Sequence, residues 1–308
     1  MTELGRTDAT ERGRVGATDH GVVGALEIGG THVSAALVSL DKRAIDPPGV
    51  QRDALSPDGT RDELVRSVVT AARRLSRPDL TRWGVATPGP FDYARGVSLI
   101  RGVAKLDALY GADLRAALSA AVGVKPTNVS FINDASAFLI GEWWAGKADG
   151  DGRSIGITLG TGLGSAFMSR GQIVESDPDV PPEGRLDLLS FRGEPVEETL
   201  SSRGLRAAYG EDGPDVVEIA RRARAGEARA ADVMHRFGTA LGEFLTRWVE
   251  RFAPTCVVLG GSIARSWDLW SEDFRAACAP EMDQTWYGVA EHLDEAPLLG
   301  AAYHAALS

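Results

Sequence analysis

Apolar residues run along Val22–Ile28, stop at Gly29-Gly30-Thr31 and resume over Val33–Ser39, a pattern that predicts two strands joined by a glycine-tipped hairpin. Further on the period changes from two to that of a helix. Leu64, Val68, Ala72 and Leu75 recur at helical spacing, and Thr60 with Glu63 forms a capping box, so a helix is expected over Arg61–Leu75. A short strand, Trp83–Ala86, runs into the turn Thr87-Pro88-Gly89-Pro90. A helix over Asp113–Val122 stops at Gly123, and a strand over Val129–Ile132 ends on Asn133-Asp134, with the helix-like stretch Ala135–Trp144 behind it.

The second half opens as the first did. Ser154–Leu159 reads as a strand, Gly160-Thr161-Gly162 breaks it, and Leu163–Met168 resumes. Setting Leu26–Val38 over Ile157–Ser169 matches Gly29 with Gly160, Ser34 with Ser165 and Ala35 with Ala166, which suggests two duplicated lobes. A long helix, about Ala228–Arg251, leads to the strand Thr255–Leu259, then Gly260-Gly261 and a helix capped by Ser262. The alanine-rich Leu298–Leu307 is also expected to be helical. Strands mixed with helices in this order indicate an α/β fold.

Composition narrows the class. The chain has 308 residues, 44% hydrophobic and 25% charged, which is a globular balance, and its length suggests two domains. A net charge of −10 disfavours nucleic acid as a partner, though glycine loops and helix ends can hold a nucleotide's phosphates without net positive charge. Cys256 and Cys278 are too few and too far apart for a cysteine zinc site and read as reduced thiols. No apolar run reaches the length of a membrane span, and residues 1–20 are polar, without the apolar core of a signal peptide. The expectation is a cytoplasmic protein with a disordered tail over 1–20 and no membrane partner.

Three glycine turns follow apolar strands: Glu27-Ile28-Gly29-Gly30-Thr31, Leu159-Gly160-Thr161-Gly162-Leu163-Gly164 and Leu259-Gly260-Gly261-Ser262. Each alone could be an ordinary hairpin or helix start; three together point to phosphate or nucleotide binding, because glycine lets backbone N–H groups approach a phosphate. Asn133-Asp134 is a capping sequence and equally a carboxylate at a strand end, where α/β proteins bind ligands. Such an aspartate can take a proton from a hydroxyl that attacks a phosphoryl group. The five histidines are scattered without metal spacing, and Trp143-Trp144 reads as core rather than as a sugar-stacking pair. Arg221–Ala231 reads as a solvated helix face.

Leu26–Val38, Gly84–Asp92, Phe131–Glu142, Ile157–Ala166 and Val257–Ala264, in that order, resemble the ROK family of sugar kinases within the actin/hexokinase-like (ribonuclease H-like) fold. The resemblance implies a two-lobed α/β protein with an interlobe active-site cleft, the N-terminal lobe formed by 21–131 plus 296–308 and the C-terminal lobe by 132–295. It implies ATP and Mg2+ as cofactors and a homodimer. Asp134 becomes the catalytic base and Asn133 a sugar contact, with Glu27, Gly29, Gly30, Thr31, Gly160, Thr161 and Gly162 around the phosphates and Gly260 and Gly261 beside the adenosine. Pro88 and Gly89 fall in the sugar-side block, and Glu197 matches a glutamate that meets the sugar.

The departures bear on the substrate. Glu27 stands where the family usually has Asp, and the cysteine-rich zinc motif is missing, so no structural zinc is expected. The family's glutamate–x–glycine–histidine motif is replaced by Pro182-Glu183-Gly184-Arg185-Leu186-Asp187, which leaves Glu183 as its partial stand-in and no histidine. Lys105 stands where members often carry an asparagine that touches the sugar. The expected reaction is phosphorylation of a hexose hydroxyl, the 6-hydroxyl of glucose or a close relative, with an amino-hexose resembling kanosamine as the alternative. A catalytically inactive sugar-binding protein and an actin-like ATPase are the competing classes. A sugar-responsive repressor would need a helix-turn-helix where only 20 tail residues stand.

Overall fold

The computed structural model describes residues 21–308 apart from 57, 102–105, 149, 151, 211–212 and 279–283. The predicted tail over 1–20 and Lys105 therefore lie outside the described residues.

The chain opens with β1 (Val22–Ile28), β2 (His32–Ser39) and β3 (Ala44–Ala54), followed by α1 (Arg61–Leu75) and β4 (Trp83–Thr87). Thr60 and Glu63 close the predicted capping box, each accepting from the other's backbone N–H. After the small hairpin β5 (Phe91–Asp92) and β6 (Val97–Ser98) come α2 (Leu114–Val122), β7 (Val129–Asn133) and α3 (Asp134–Ala145). β1 pairs antiparallel with β2 and parallel with β4, and β4 pairs parallel with β7, giving the order β3-β2-β1-β4-β7.

The second sheet follows the same plan. β8 (Arg153–Leu159) and β9 (Leu163–Ser169) form its hairpin, and β10 (Gln172–Ile173) lies beyond β9. A second small hairpin, β11 (Ser190–Phe191) with β12 (Glu194–Pro195), precedes α4 (Ser202–Tyr209), α5 (Val216–Arg224) and α6 (Ala228–Phe252). The chain closes with β13 (Cys256–Gly260), α7 (Ser271–Ala277), β14 (Trp286–Val289) and α8 (Ala296–Leu307). β8 is parallel to β13, and β13 to β14, so the order β10-β9-β8-β13-β14 reproduces that of the first sheet.

Alternation along the strands builds five layers. Leu26, Ile28, Val85 and Phe131 face α1 and α2, while Ala25, Ala36 and Val38 face the opposite way onto α3 and α8. Those two helices are covered on their other side by Ala166, Met168 and Val258 of the second sheet. Ile155, Ile157 and Phe167 then pack under α4 to α7. A helix sandwiched between two sheets must be apolar all round, and α3 is buried at every residue from Ala135 to Trp144. α3 and α8 cross at backbone contact: a Cβ on Gly300 would overlap the Ala137 carbonyl, and one on Gly141 the Ala296 carbonyl.

Trp143 and Trp144 both pack on Tyr303 of α8, so the tryptophan pair is core as expected. Two expectations are corrected. Ser262 makes no side-chain cap, because its backbone is already helical and the segment Ile263–Leu269 after it is a 3-10 helix. Arg221–Ala231 is not one face, since the end of α5 and the start of α6 divide it.

Candidate active site

β7 delivers Asn133 and Asp134 to the start of α3. Asn133 caps that helix, its Oδ1 accepting from Ala135 N–H at 3.0 Å and Ser136 N–H at 3.2 Å. Its Nδ2 donates to the Tyr93 hydroxyl at 3.3 Å, and that hydroxyl donates to the Thr87 carbonyl at 3.2 Å. Register pairs Thr87 with Asn133, so the turn through Pro88 and Gly89 leaves β4 beside them. One residue thus caps the helix and ties it to the β4 turn, so the capping alternative is realised.

Asp134 is the first residue of α3, with Oδ1 accepting from Ala135 N–H at 2.9 Å. Burial pushes its carboxyl above the usual carboxylate range; the N–H of Ala135 opposes that, Asp187 adds to it and Arg185 opposes it. The Tyr93 phenol is pushed up chiefly by its own burial, and Asp134, Glu175 and Arg185 also act on it. Groups of the first sheet and of the segment after β9 therefore face each other around Asp134.

At the first hairpin Gly29 N–H donates to the His32 carbonyl at 2.9 Å, leaving Gly30 and Thr31 at the tip. Glu27 lies just before the tip, and strand register sets it opposite Ser34, which stands opposite Arg52. Its carboxyl is pushed up to about 7, first by burial and then by Asp134, against Arg52 and the Ser34 hydroxyl. The two carboxylates that the sequence singled out are close enough to repel.

The second hairpin is fastened more firmly. Gly160 N–H donates to the Gly162 carbonyl at 3.0 Å, and the Gly160 carbonyl accepts from the Ser202 N–H at 2.8 Å and hydroxyl at 2.7 Å. Glu197 Oε1 accepts from Leu163 N–H at 2.9 Å. Glu197, which the resemblance assigns to the sugar, here braces this loop through one carboxylate oxygen, and Ser202 is a second brace that sequence reasoning missed. Thr161 stands at the exposed tip between them. Gly260 and Gly261 end β13 alongside: a Cβ on Gly160 would stand 3.8 Å from the Ser262 hydroxyl. Gly261 has φ of 82°, and a Cβ there would overlap the Leu159 carbonyl, so this turn needs glycine twice over.

The altered motif follows β10. Glu183 has φ of 58° and a side chain 72% exposed, whereas Asp187 is 21% exposed and takes both Nε (3.2 Å) and a terminal nitrogen (2.5 Å) of Arg185. Neither Arg185 nor Asp187 was predicted as a site residue. The signal was the arginine in place of the histidine. The structure brings together Asp134, Asn133, Tyr93, Pro88, Gly89 and Glu27, and separately the loops at Gly160 and Gly260. It leaves the Glu183 carboxylate largely in solvent. Among the described residues no helix is long and apolar enough to cross a membrane.

A glucokinase of Thermotoga maritima is 27% identical over 307 residues, spanning 90% of this chain and 95% of that protein. A beta-glucoside kinase of Klebsiella pneumoniae is 24% identical over 90% of this chain and 94% of its own. In three dimensions the chain matches a ROK family glucokinase from Streptomyces griseus in complex with glucose and AMPPNP, with a TM-score of 0.77 and 22% identity over 94% of this chain and 100% of that one. That match shows a shared two-lobed, actin/hexokinase-like α/β fold. The ROK family model matches residues 23–183 and 190–307, with one short interruption, and the chain belongs to the ROK family.

Proposed function

We propose that this ROK-family sugar kinase transfers the γ-phosphoryl group of ATP to the 6-hydroxyl of a hexose, glucose or a close relative, with Asp134 as the base. The observation that carries the reading is the position of Asp134: a half-buried aspartate on the first turn of the central helix, flanked by Asn133 and facing Glu27. As the sugar oxygen attacks the γ-phosphorus, Asp134 takes its proton and ADP leaves. A carboxyl with raised proton affinity suits that task, because it accepts a proton more readily than an ordinary surface aspartate.

Gly29, Gly30 and Thr31 on one side and Gly160, Thr161 and Gly162 on the other are the loops that would hold the phosphates, with Gly260 and Gly261 beside the adenosine. The chemistry at Glu27 is compatible with magnesium bound mainly by phosphate oxygens and water: it is a half-buried carboxylate set against Asp134, and a divalent cation would offset that repulsion. The ion would be held there through Glu27 and would supply neutralisation of the phosphate charge. Lobes over 21–131 plus 296–308 and over 132–295 would close on the substrates and exclude water.

One observation favours the amino-hexose as a second reading. The charged side chains acting on Asp134 and Tyr93 include Asp187 and Glu175 against Arg185, an excess of negative charge that suits an ammonium group. ADP release from magnesium-ATP against glucose, mannose, N-acetylated hexosamines and amino-hexoses, with Asp134→Asn in parallel, tests both. Turnover on one sugar that disappears in the variant supports the reading. Turnover that survives in the variant removes Asp134 as the base. Family resemblance also leads us to expect a homodimer, which sedimentation would check.

A further inference from the structure

The turn through residues 184–187 is built to hold one carboxylate still. Ser165 of β9 donates its hydroxyl to the Gly184 carbonyl at 2.7 Å and accepts from the Leu186 N–H at 2.9 Å, and Leu186 is fully buried. Ser165 follows Gly164, whose position is so near α3 that a Cβ there would lie 3.2 Å from the Ala135 Cβ. The turn is therefore pinned, through one serine, to the strand that runs past the residue after Asp134. From that turn Arg185 reaches forward to Asp187 and holds it at two points. Glu183, just upstream, is 72% exposed and reaches only the far side of the same guanidinium, its Oε2 lying 3.9 Å from Arg185 Nη1.

We propose that Asp187, not Glu183, is the carboxylate that binds a hydrogen-bond donor on the sugar ring opposite Asp134, and that Arg185 is its positioning residue. The inference rests on the sugar-kinase reading. A carboxylate oxygen has two acceptor sites, and Arg185 uses one on each oxygen, so Asp187 keeps two acceptors to offer. Its partial burial removes competing water, and the clamp removes the rotamer freedom that binding would otherwise have to freeze out. The donor it takes is a ring hydroxyl or a ring ammonium.

Asp187→Asn, Arg185→Gln and Arg185→Lys are assayed for ADP release with glucose, its single-deoxy analogues and 2-amino and 3-amino glucose, with ATP and sugar KM measured separately. Asp187→Asn should raise the KM of the best sugar about tenfold or more while the ATP KM stays within about twofold. The deoxy analogue that lacks the contacted hydroxyl should lose about tenfold in the wild type and nothing further in Asp187→Asn. If the donor is an ammonium, the loss in Asp187→Asn should be steepest for one amino sugar, about a hundredfold. Arg185→Lys should recover part of the sugar KM lost in Arg185→Gln. A merely structural role would instead move both KM values and the melting temperature together.

An unchanged sugar KM in Asp187→Asn across the panel overturns the inference, as does an equal deoxy penalty in both proteins. If the wild type turns over none of these sugars, it is the kinase reading that falls. Calorimetric binding of the same sugars to the wild type and Asp187→Asn then decides Asp187 alone: weaker binding in the variant upholds it, and equal or absent binding sinks it.

Discussion

Glu27→Gln should make the nucleotide-free protein more stable at alkaline pH and change it little at acidic pH. The Glu27 carboxyl moves from 4.5 to about 7 on folding because burial, and then Asp134, penalise its charged form. A raised carboxyl binds its proton more tightly in the folded chain. Its contribution is therefore complete below the unfolded value and is lost as pH rises through about 7. At about 1.4 kcal/mol per pH unit, the loss between pH 5 and pH 8 is roughly 2.5 kcal/mol. Glutamine carries no charge to bury, so the stability gap between variant and wild type should open by that amount. For a chain of this size the gap corresponds to roughly 4 °C in melting temperature.

Scanning calorimetry of both proteins without nucleotide, at pH 5 and pH 8, reads it directly. Equal gaps at the two pH values would mean that Glu27 titrates like a solvated glutamate, and the placement of its carboxylate against Asp134 would be wrong. A gap of opposite sign would mean that Arg52 and Ser34 hold the charged form more strongly than burial and Asp134 oppose it. Asp134→Asn in the same scans supplies the internal check. Removing the second cause of the shift should move the Glu27 transition to lower pH and shrink the gap.

Asp134→Asn should lower kcat by about a thousandfold, within the usual range for loss of a general base, with sugar KM changed far less. Because burial raises the Asp134 carboxyl, the acid limb of the wild-type kcat/KM profile should lie above the ordinary aspartate value near 4, activity falling as pH drops through it. Gly261→Ala should cost about 1–3 kcal/mol in unfolding free energy and raise the ATP KM, since the new methyl meets the Leu159 carbonyl at a left-handed backbone position. Glu142→Ala should cost about 3 kcal/mol or more. That fully buried carboxylate accepts from the N–H groups of Lys147, Glu291 and His292, and truncation leaves all three without it. Thermal melts check both stability claims.

What the sequence revealed and what it hid follow from range. The hairpin tips were legible because glycine interrupts an apolar strand within three residues, a local signal at Gly29 and again at Gly160. The cap at Thr60 was legible for the same reason. Asn133-Asp134 was legible as a pair but not as a role, because capping and catalysis ask for the same residue types at a strand end. Glu197 was visible as an acid, yet its partner Leu163 N–H is remote in sequence, and only the fold makes it a brace. Asp187 was hidden beside the more conspicuous Glu183. Which of two neighbouring carboxylates faces inward depends on the left-handed backbone at Glu183 and on the Ser165 anchor, and neither leaves a periodic trace.

The duplicated plan also bears on where Asp134, the proposed base, stands. Each sheet carries one glycine-tipped hairpin at a strand pair, so the two loops proposed to hold the phosphates belong to separate layers. Asp134 belongs to neither hairpin. It begins the helix that both sheets bury, and that helix is locked to α8 by two glycine crossings at Gly141 and Gly300. On the proposed reading, a base mounted on this shared layer would keep its orientation independently of the two loops. Gly300→Ala places a methyl on the Ala137 carbonyl, two turns or fewer from Asp134. It should therefore reduce kcat in whatever fraction folds, while a substitution at an exposed position away from both loops, such as Val217→Thr on α5, leaves kcat unchanged. An unchanged kcat in folded Gly300→Ala would show that the central helix does not fix the base.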